Sequence, residues 1–328
     1  MRTMRLGRTL ALSILGPMAV LALGVAALAQ TGSPAGSTAS QTPAQPPAGS
    51  QTPPPATPPA TQTSPTPTPP ASAKPMTIEQ AEAAVKSSPK DPAAYLALGS
   101  AYRRAGRPKD ALPVFQKLVT IAPNAAASHV SLGAVYMDLK RNDDAYKEFQ
   151  KAIKLDPKDA TAQFNLGNYY QEVGRRDDAA AAYKHATELP PPLPDAWVNL
   201  GLIQAEVGKG DEAMSSYKKA LAIDSTNVRA LCNLGNSTYQ LGRIPEATSM
   251  YRKALTIDPK NQEALYNMGV AFADAQMYRE AIRYWQKVVG IDSTATVAQS
   301  AHSSIQVLQE FLNQQKPKQP AGASTGGH

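Results

Sequence analysis

Apolar and small side chains recur along the middle of this chain with two superposed periods. Within short stretches they fall at helical spacing. Across residues 92–294 the whole pattern returns every 34 residues, six times, without insertion. In the unit 126–159, Val130, Leu132, Gly133 and Tyr136 predict a first helix of about 13 residues. Polar Lys140, Arg141 and Asn142 follow as a turn, and Ala145, Phe149, Ala152 and Ile153, at i, i+4, i+7 and i+8, predict a second helix. Asp143 or Asp144 is expected to cap that helix. Asp156-Pro157 is expected to end it, because proline lacks an N–H and disfavours helix in the residue before it. A fixed period of this size predicts an all-α array of stacked hairpins rather than a globule around one core.

Each recurring residue has a packing reason. Gly99, Gly133, Gly167, Gly201, Gly235 and Gly269, with Ala111, Ala145, Ala179, Ala213, Ala247 and Ala281, stand where two helix backbones must approach closely. A larger side chain there would overpack by ~1–3 kcal/mol. Phe115, Phe149, Tyr183, Tyr217, Tyr251 and Trp285 supply bulk, and Leu98, Leu132, Leu166, Leu200, Leu234 and Met268 fill the interior of each hairpin. Pro123, Pro157, Pro191 and Pro259 terminate units, with Ser225 and Ser293 in the same place elsewhere.

On these marks the chain resembles the tetratricopeptide repeats, helix–turn–helix modules of 34 residues, over six units. The opening of the fourth, Trp197-Val198-Asn199-Leu200-Gly201, matches the family motif in full. His129 and Gln163 depart from the large apolar residue that the family prefers, and Gln204 and Thr238 from its tyrosine. The resemblance implies an α-solenoid wound as a right-handed superhelix, with the first helices lining a concave surface. Residues 76–91 read as a degenerate half-repeat before the six units at 92–295. Val297, Ala301, Ile305, Leu308 and Leu312 predict one amphipathic helix over 296–313, of the kind an open array needs to cover its last interface. A tail, 314–328, is expected to be disordered.

Composition adds an N-terminal story. Arg2, Arg5 and Arg8 precede an apolar run over 10–29 that ends in Ala27-Leu28-Ala29, a signal-peptide pattern. The run is long enough that a retained inner-membrane anchor is the alternative. Both predict export, to the periplasm or beyond the cell. Residues 30–75 hold fourteen prolines and one charge, Lys74, and are expected to be a disordered linker. The net charge of +7 includes the three leader arginines; without them about +4 remains, too little to argue for nucleic acid or a membrane surface.

Catalytic constellations are not found. His129, His185, His302 and His328 lack partners at metal-ligand spacing, no glycine-rich phosphate loop exists, and Cys232 is the single cysteine. Asp143-Asp144 and Asp177-Asp178 read as caps and dipole partners. The sequence therefore predicts no enzyme, no metal and no cofactor. The informative surface lies on the first helices. Asn165, Asn199, Asn233 and Asn267 recur at one position, and Asn168 and Asn236 one turn on. In the resembled family, asparagines there bind the backbone of an extended peptide, and each amide offers donors and an acceptor. The alternative is that they satisfy local backbone groups. Leu96, Val130, Phe164, Val198, Cys232 and Tyr266 are expected to floor the groove, while the lysines of the family's carboxylate-binding versions are missing. Phe164, Tyr239 and Tyr266 could also stack on sugar rings. The expected partner is thus a protein or peptide of the cell envelope or exterior, bound by an adaptor. The rival is a wall-associated spacer in which the proline-rich stalk matters most.

Overall fold

The computed structural model describes residues 75–315. The predicted leader, nearly all of the linker, and the tail from 316 onward lie outside the described residues. Fourteen helices, and no strand, occur among those described. The half-repeat contributes α1 (Ile78–Ser87). The six units follow as α2 (Pro92–Arg104) with α3 (Pro108–Ile121), α4 (Ala126–Asp138) with α5 (Asn142–Leu155), and α6 (Ala160–Glu172) with α7 (Arg176–Glu188). Then come α8 (Pro194–Glu206) with α9 (Gly210–Ile223), α10 (Val228–Gln240) with α11 (Ile244–Ile257), and α12 (Gln262–Asp274) with α13 (Tyr278–Ile291). The last, α14 (Thr296–Gln314), stands alone at the C-terminal end.

Helix starts follow two rules. Four of the six first helices are capped by side chains: Asp91, Asp159, Asn227 and Asn261 each accept from a backbone N–H of the first turn, whereas Ala125 and Leu193 start the other two without one. Second helices have no such cap. The expectation that Asp143 or Asp144 caps α5 is corrected: the helix begins earlier, at Asn142, so both aspartates lie inside its first turn. There they favour the positive end of the helix dipole, and Asp144 pairs with Arg141. Asp177 and Asp178 occupy the same places in α7, with Arg175 on Asp178. Arg107 with Asp110 and Arg243 with Glu246 repeat the arrangement.

Each hairpin closes on one lock. A Cβ built on Gly99, Gly133, Gly167, Gly201, Gly235 or Gly269 would lie 2.3–2.6 Å from the ring of Phe115, Phe149, Tyr183, Tyr217, Tyr251 or Trp285 respectively. Those aromatics are almost wholly buried, and the alanine series is at 0% exposure throughout. The glycines are thus required by space, not by backbone conformation. Conformation matters instead in the intra-unit turns, where Gly106, Gly174, Gly208 and Gly242 adopt φ between 68° and 81°.

First helices of successive units touch one another, whereas second helices make no comparable contact with each other. The first helices therefore lie on the inner side of the curve. Ala298, Ala301, Ile305 and Leu308 of α14 close the stack against Trp285, Val288 and Leu265, and His302, Gln306 and Glu310 face out. The capping expectation holds, one residue longer than predicted.

Candidate functional site

On the inner face the asparagine series divides in two. Asn168 Oδ1 accepts from the Tyr183 hydroxyl (2.7 Å) and from Asn199 Nδ2 of the next unit (3.3 Å). Asn236 Oδ1 accepts from the Tyr251 hydroxyl (2.8 Å) and Asn267 Nδ2 (2.7 Å), while its own Nδ2 donates to Glu263 (3.1 Å). These are seams: each knits a second helix, its own first helix and the next first helix. Asn199 is only 8% exposed, and its Oδ1 accepts from Arg229 Nη2 at 2.8 Å. Asn165 and Asn233 behave differently. Their Nδ2 atoms donate to the carbonyls of Thr161 (2.8 Å) and Arg229 (2.9 Å) one turn back, and their carboxamide oxygens make no hydrogen bond among the described residues.

The expected groove floor is corrected. Val130, Val198 and Cys232 are buried between units, Val130 against Ala152 and Ala162 and Val198 against Ala220 and Ala230. Leu96 packs into the first-unit core. Phe164 and Tyr266 are half-buried against the lock aromatics Tyr183 and Trp285, ring centroids 5.7 and 6.1 Å apart. The stepwise advance of the helices places this position in the seam between units. The Tyr239 hydroxyl donates to Asp274 across the seam.

Burial sets the acid–base character here. The Cys232 thiol is pushed up to about 12 by burial, with Glu263 and Asp258 adding to it. An unreactive packing role follows. Burial likewise lifts Tyr183 and Tyr217 to about 12 and Tyr251 and Tyr239 further, Asp274 reinforcing the last. All remain neutral hydrogen-bonding groups near neutral pH. Among the described residues no group of three or more His, Cys, Asp or Glu could hold a metal ion. None of the described helices is long and apolar enough to cross a membrane.

One feature escaped sequence reading. His129 is 6% exposed; its Nδ1 lies 2.6 Å from Glu148 Oε2 and its Nε2 2.8 Å from the Pro123 carbonyl oxygen. Lys151 completes the group on Glu148 Oε1 (2.8 Å). The signal was present: Leu231 and Met250 of the fifth unit occupy the places of His129 and Glu148.

Stacked helical hairpins of 34 residues with a glycine–aromatic lock define a tetratricopeptide-repeat protein, a class of protein-interaction scaffold. Residues 26–304 match the family model of the cilia and flagella-associated protein 70 C-terminal domain, and the chain belongs to that repeat family. Comparison with curated proteins finds no match. Among solved structures, Pseudomonas aeruginosa pilF is similar over 65% of this chain and 96% of its own, at 21% identity and a TM-score of 0.56. Cut9, in its complex with Hcn1 from APC/C, is similar over 72% of this chain but 46% of its own, at 18% identity and a TM-score of 0.59. Yeast Tom70 is similar over 72% of this chain and 58% of its own, at 15% identity and a TM-score of 0.55. At these identities the likeness is one of fold.

Proposed function

We propose that this chain is an exported, non-enzymatic adaptor that holds an extended segment of another envelope or extracellular protein in the inner groove of its repeats. The observation that carries the reading is the pair of unspent amide oxygens at Asn165 and Asn233. Both are half-buried, fixed by their own Nδ2 bonds, and presented on the groove face. Amides held in place in this way limit the ordering cost of binding on the receptor's side. The apolar run before Ala27-Leu28-Ala29 supports export.

The test is peptide display against the full chain, followed by the Asn165→Ala/Asn233→Ala double variant. Selected peptides are expected to bind the variant about ten- to a hundredfold more weakly, two hydrogen bonds lost at ~1 kcal/mol or more each. Its melting temperature should stay within a degree or two, because neither side chain crosses a seam. Peptides that bind parent and variant alike, or that are retained by the 30–75 segment alone, would overturn the reading.

A further inference from the structure

Each second helix keeps its carboxylates in the first turn, apart from Glu188 and the buried Glu148. Further along, Lys117, Lys151, His185, Lys219, Lys253 and Lys287 hold one position of the repeat, and all six are exposed. In the third to fifth units another exposed cation precedes it: Lys184, Lys218 and Arg252. A helix dipole favours cations in the last turn, but the last turns of α9, α11 and α13 hold none. Nor do neighbours neutralise the row. Lys184, Lys218, Arg252 and Lys253 make no ion pair among the described residues. Glu188 is the single carboxylate three or four places along the chain from any of them. Over residues 75–315 positive and negative side chains nearly balance, 27 against 26, so a cationic outer face leaves the remainder acid-rich. Net charge conceals that division.

A row of lysines is by itself an ordinary solvated surface. Here aliphatic side chains stand beside it. Four residues after the row position come Leu155, Ile223, Ile257 and Ile291, exposed by 42%, 39%, 43% and 39%. Residues four apart share one helix face. Single apolar side chains in water need no reason, but the same one repeated unit after unit marks a contact surface. First helices line the inner side of the curve, so this surface lies opposite the groove.

We propose that the outer face of the third to fifth units docks on an anionic lipid bilayer. Lys184, Lys218, Arg252 and Lys253 meet headgroup phosphates, and Ile223 and Ile257 enter the boundary between headgroups and acyl chains. A linear polyanion would answer the cations alone and leave both isoleucines in water. A second set of exposed aliphatics, Val173, Val207 and Leu241, belongs to the intra-unit turns. Two of these directly follow a carboxylate, Glu172 or Glu206, that an anionic surface would repel. Docking on the outer face leaves the groove open and does not rest on groove binding.

Cosedimentation of the full chain with phosphatidylcholine vesicles, plain or with about one third phosphatidylglycerol, tests this. The apolar run 10–29 is in every sample, so the readout is the preference for anionic over neutral vesicles. Lys184→Gln/Lys218→Gln/Arg252→Gln/Lys253→Gln should lower that preference about a hundredfold or more, roughly three- to fivefold for each cation. Lys184→Arg/Lys218→Arg/Lys253→Arg should keep it. Ile223→Ser/Ile257→Ser should bind anionic vesicles about tenfold more weakly and polyphosphate as tightly as before. Helicity and melting temperature should match the parent throughout, because all of these side chains are exposed. A preference unmoved by the glutamine variant, or vesicle binding unmoved by the serine variant, would overturn the proposal. The second of those results would assign the face to a linear polyanion instead.

Discussion

At the scale of single residues, position in the repeat was visible in the sequence but side-chain direction was not. The six glycines, six alanines and six aromatics can be read from spacing alone, since steric demand repeats with the backbone. The asparagines look equivalent by spacing, yet Asn199 and Asn267 are spent on seams while Asn165 and Asn233 are not. What separates them is the residue one unit earlier and three positions on: Asn168 or Asn236 in one case, Ala134 or Leu202 in the other. The buried tyrosines also set how the protein meets alkali. Their folded values, and that of Cys232, lie above the ordinary ones of about 10 and about 8.5. The folded state therefore binds protons that the unfolded state releases. That stability is fully present below the unfolded values and is lost as pH rises toward 12. Urea midpoints should be level from about pH 6 to 8 and fall progressively above about pH 9. Tyrosinate absorbance from the lock residues should appear only together with loss of helix. Ionisation of every tyrosine at its ordinary value with helicity intact would contradict this.

Paired helices were legible in the sequence, because hydrophobic period and Asp-Pro stops agree. The second-helix starts were less so. A first-turn carboxylate and a cap use the same residue types, and only the backbone tells whether Asp143 precedes the helix or belongs to it. Element scale is also where His129 and Glu148 belong, since they join α4 to α5 within one hairpin. Breaking a buried pair leaves a group in a poor solvent without its partner, whereas replacing both with apolar residues need cost nothing. Glu148→Ala should therefore lower stability by ~3–5 kcal/mol. His129→Leu combined with Glu148→Met, the residues of the fifth unit, should be neutral or stabilising. Chemical denaturation of the two variants decides the matter. Equal destabilisation by both would mean that packing shape, not pairing, governs this hairpin.

Over the whole molecule, stability is the sum of similar units and the interfaces between neighbours, so each end needs a cover. Ending the chain after Asp292 removes α14 and bares Trp285, Val288 and Leu265. The truncated protein should unfold at lower urea, beginning with the sixth unit, and bind hydrophobic dye before its main transition. Hydrogen exchange resolved by unit should show protection lost from α12 and α13 first. Protection unchanged there would remove the capping role. Repetition brings its own hazard. Six hairpins closed by one glycine–aromatic lock are nearly interchangeable, so a second helix could fold back on the wrong first helix, a full unit out of step. The His129–Glu148 pair sets the second hairpin apart, since a slipped α5 would part Glu148 from His129. The all-apolar variant, however stable, should therefore give more misassembled or chain-exchanged product on rapid refolding, and equal yields from parent and variant would show that the pair plays no part in register.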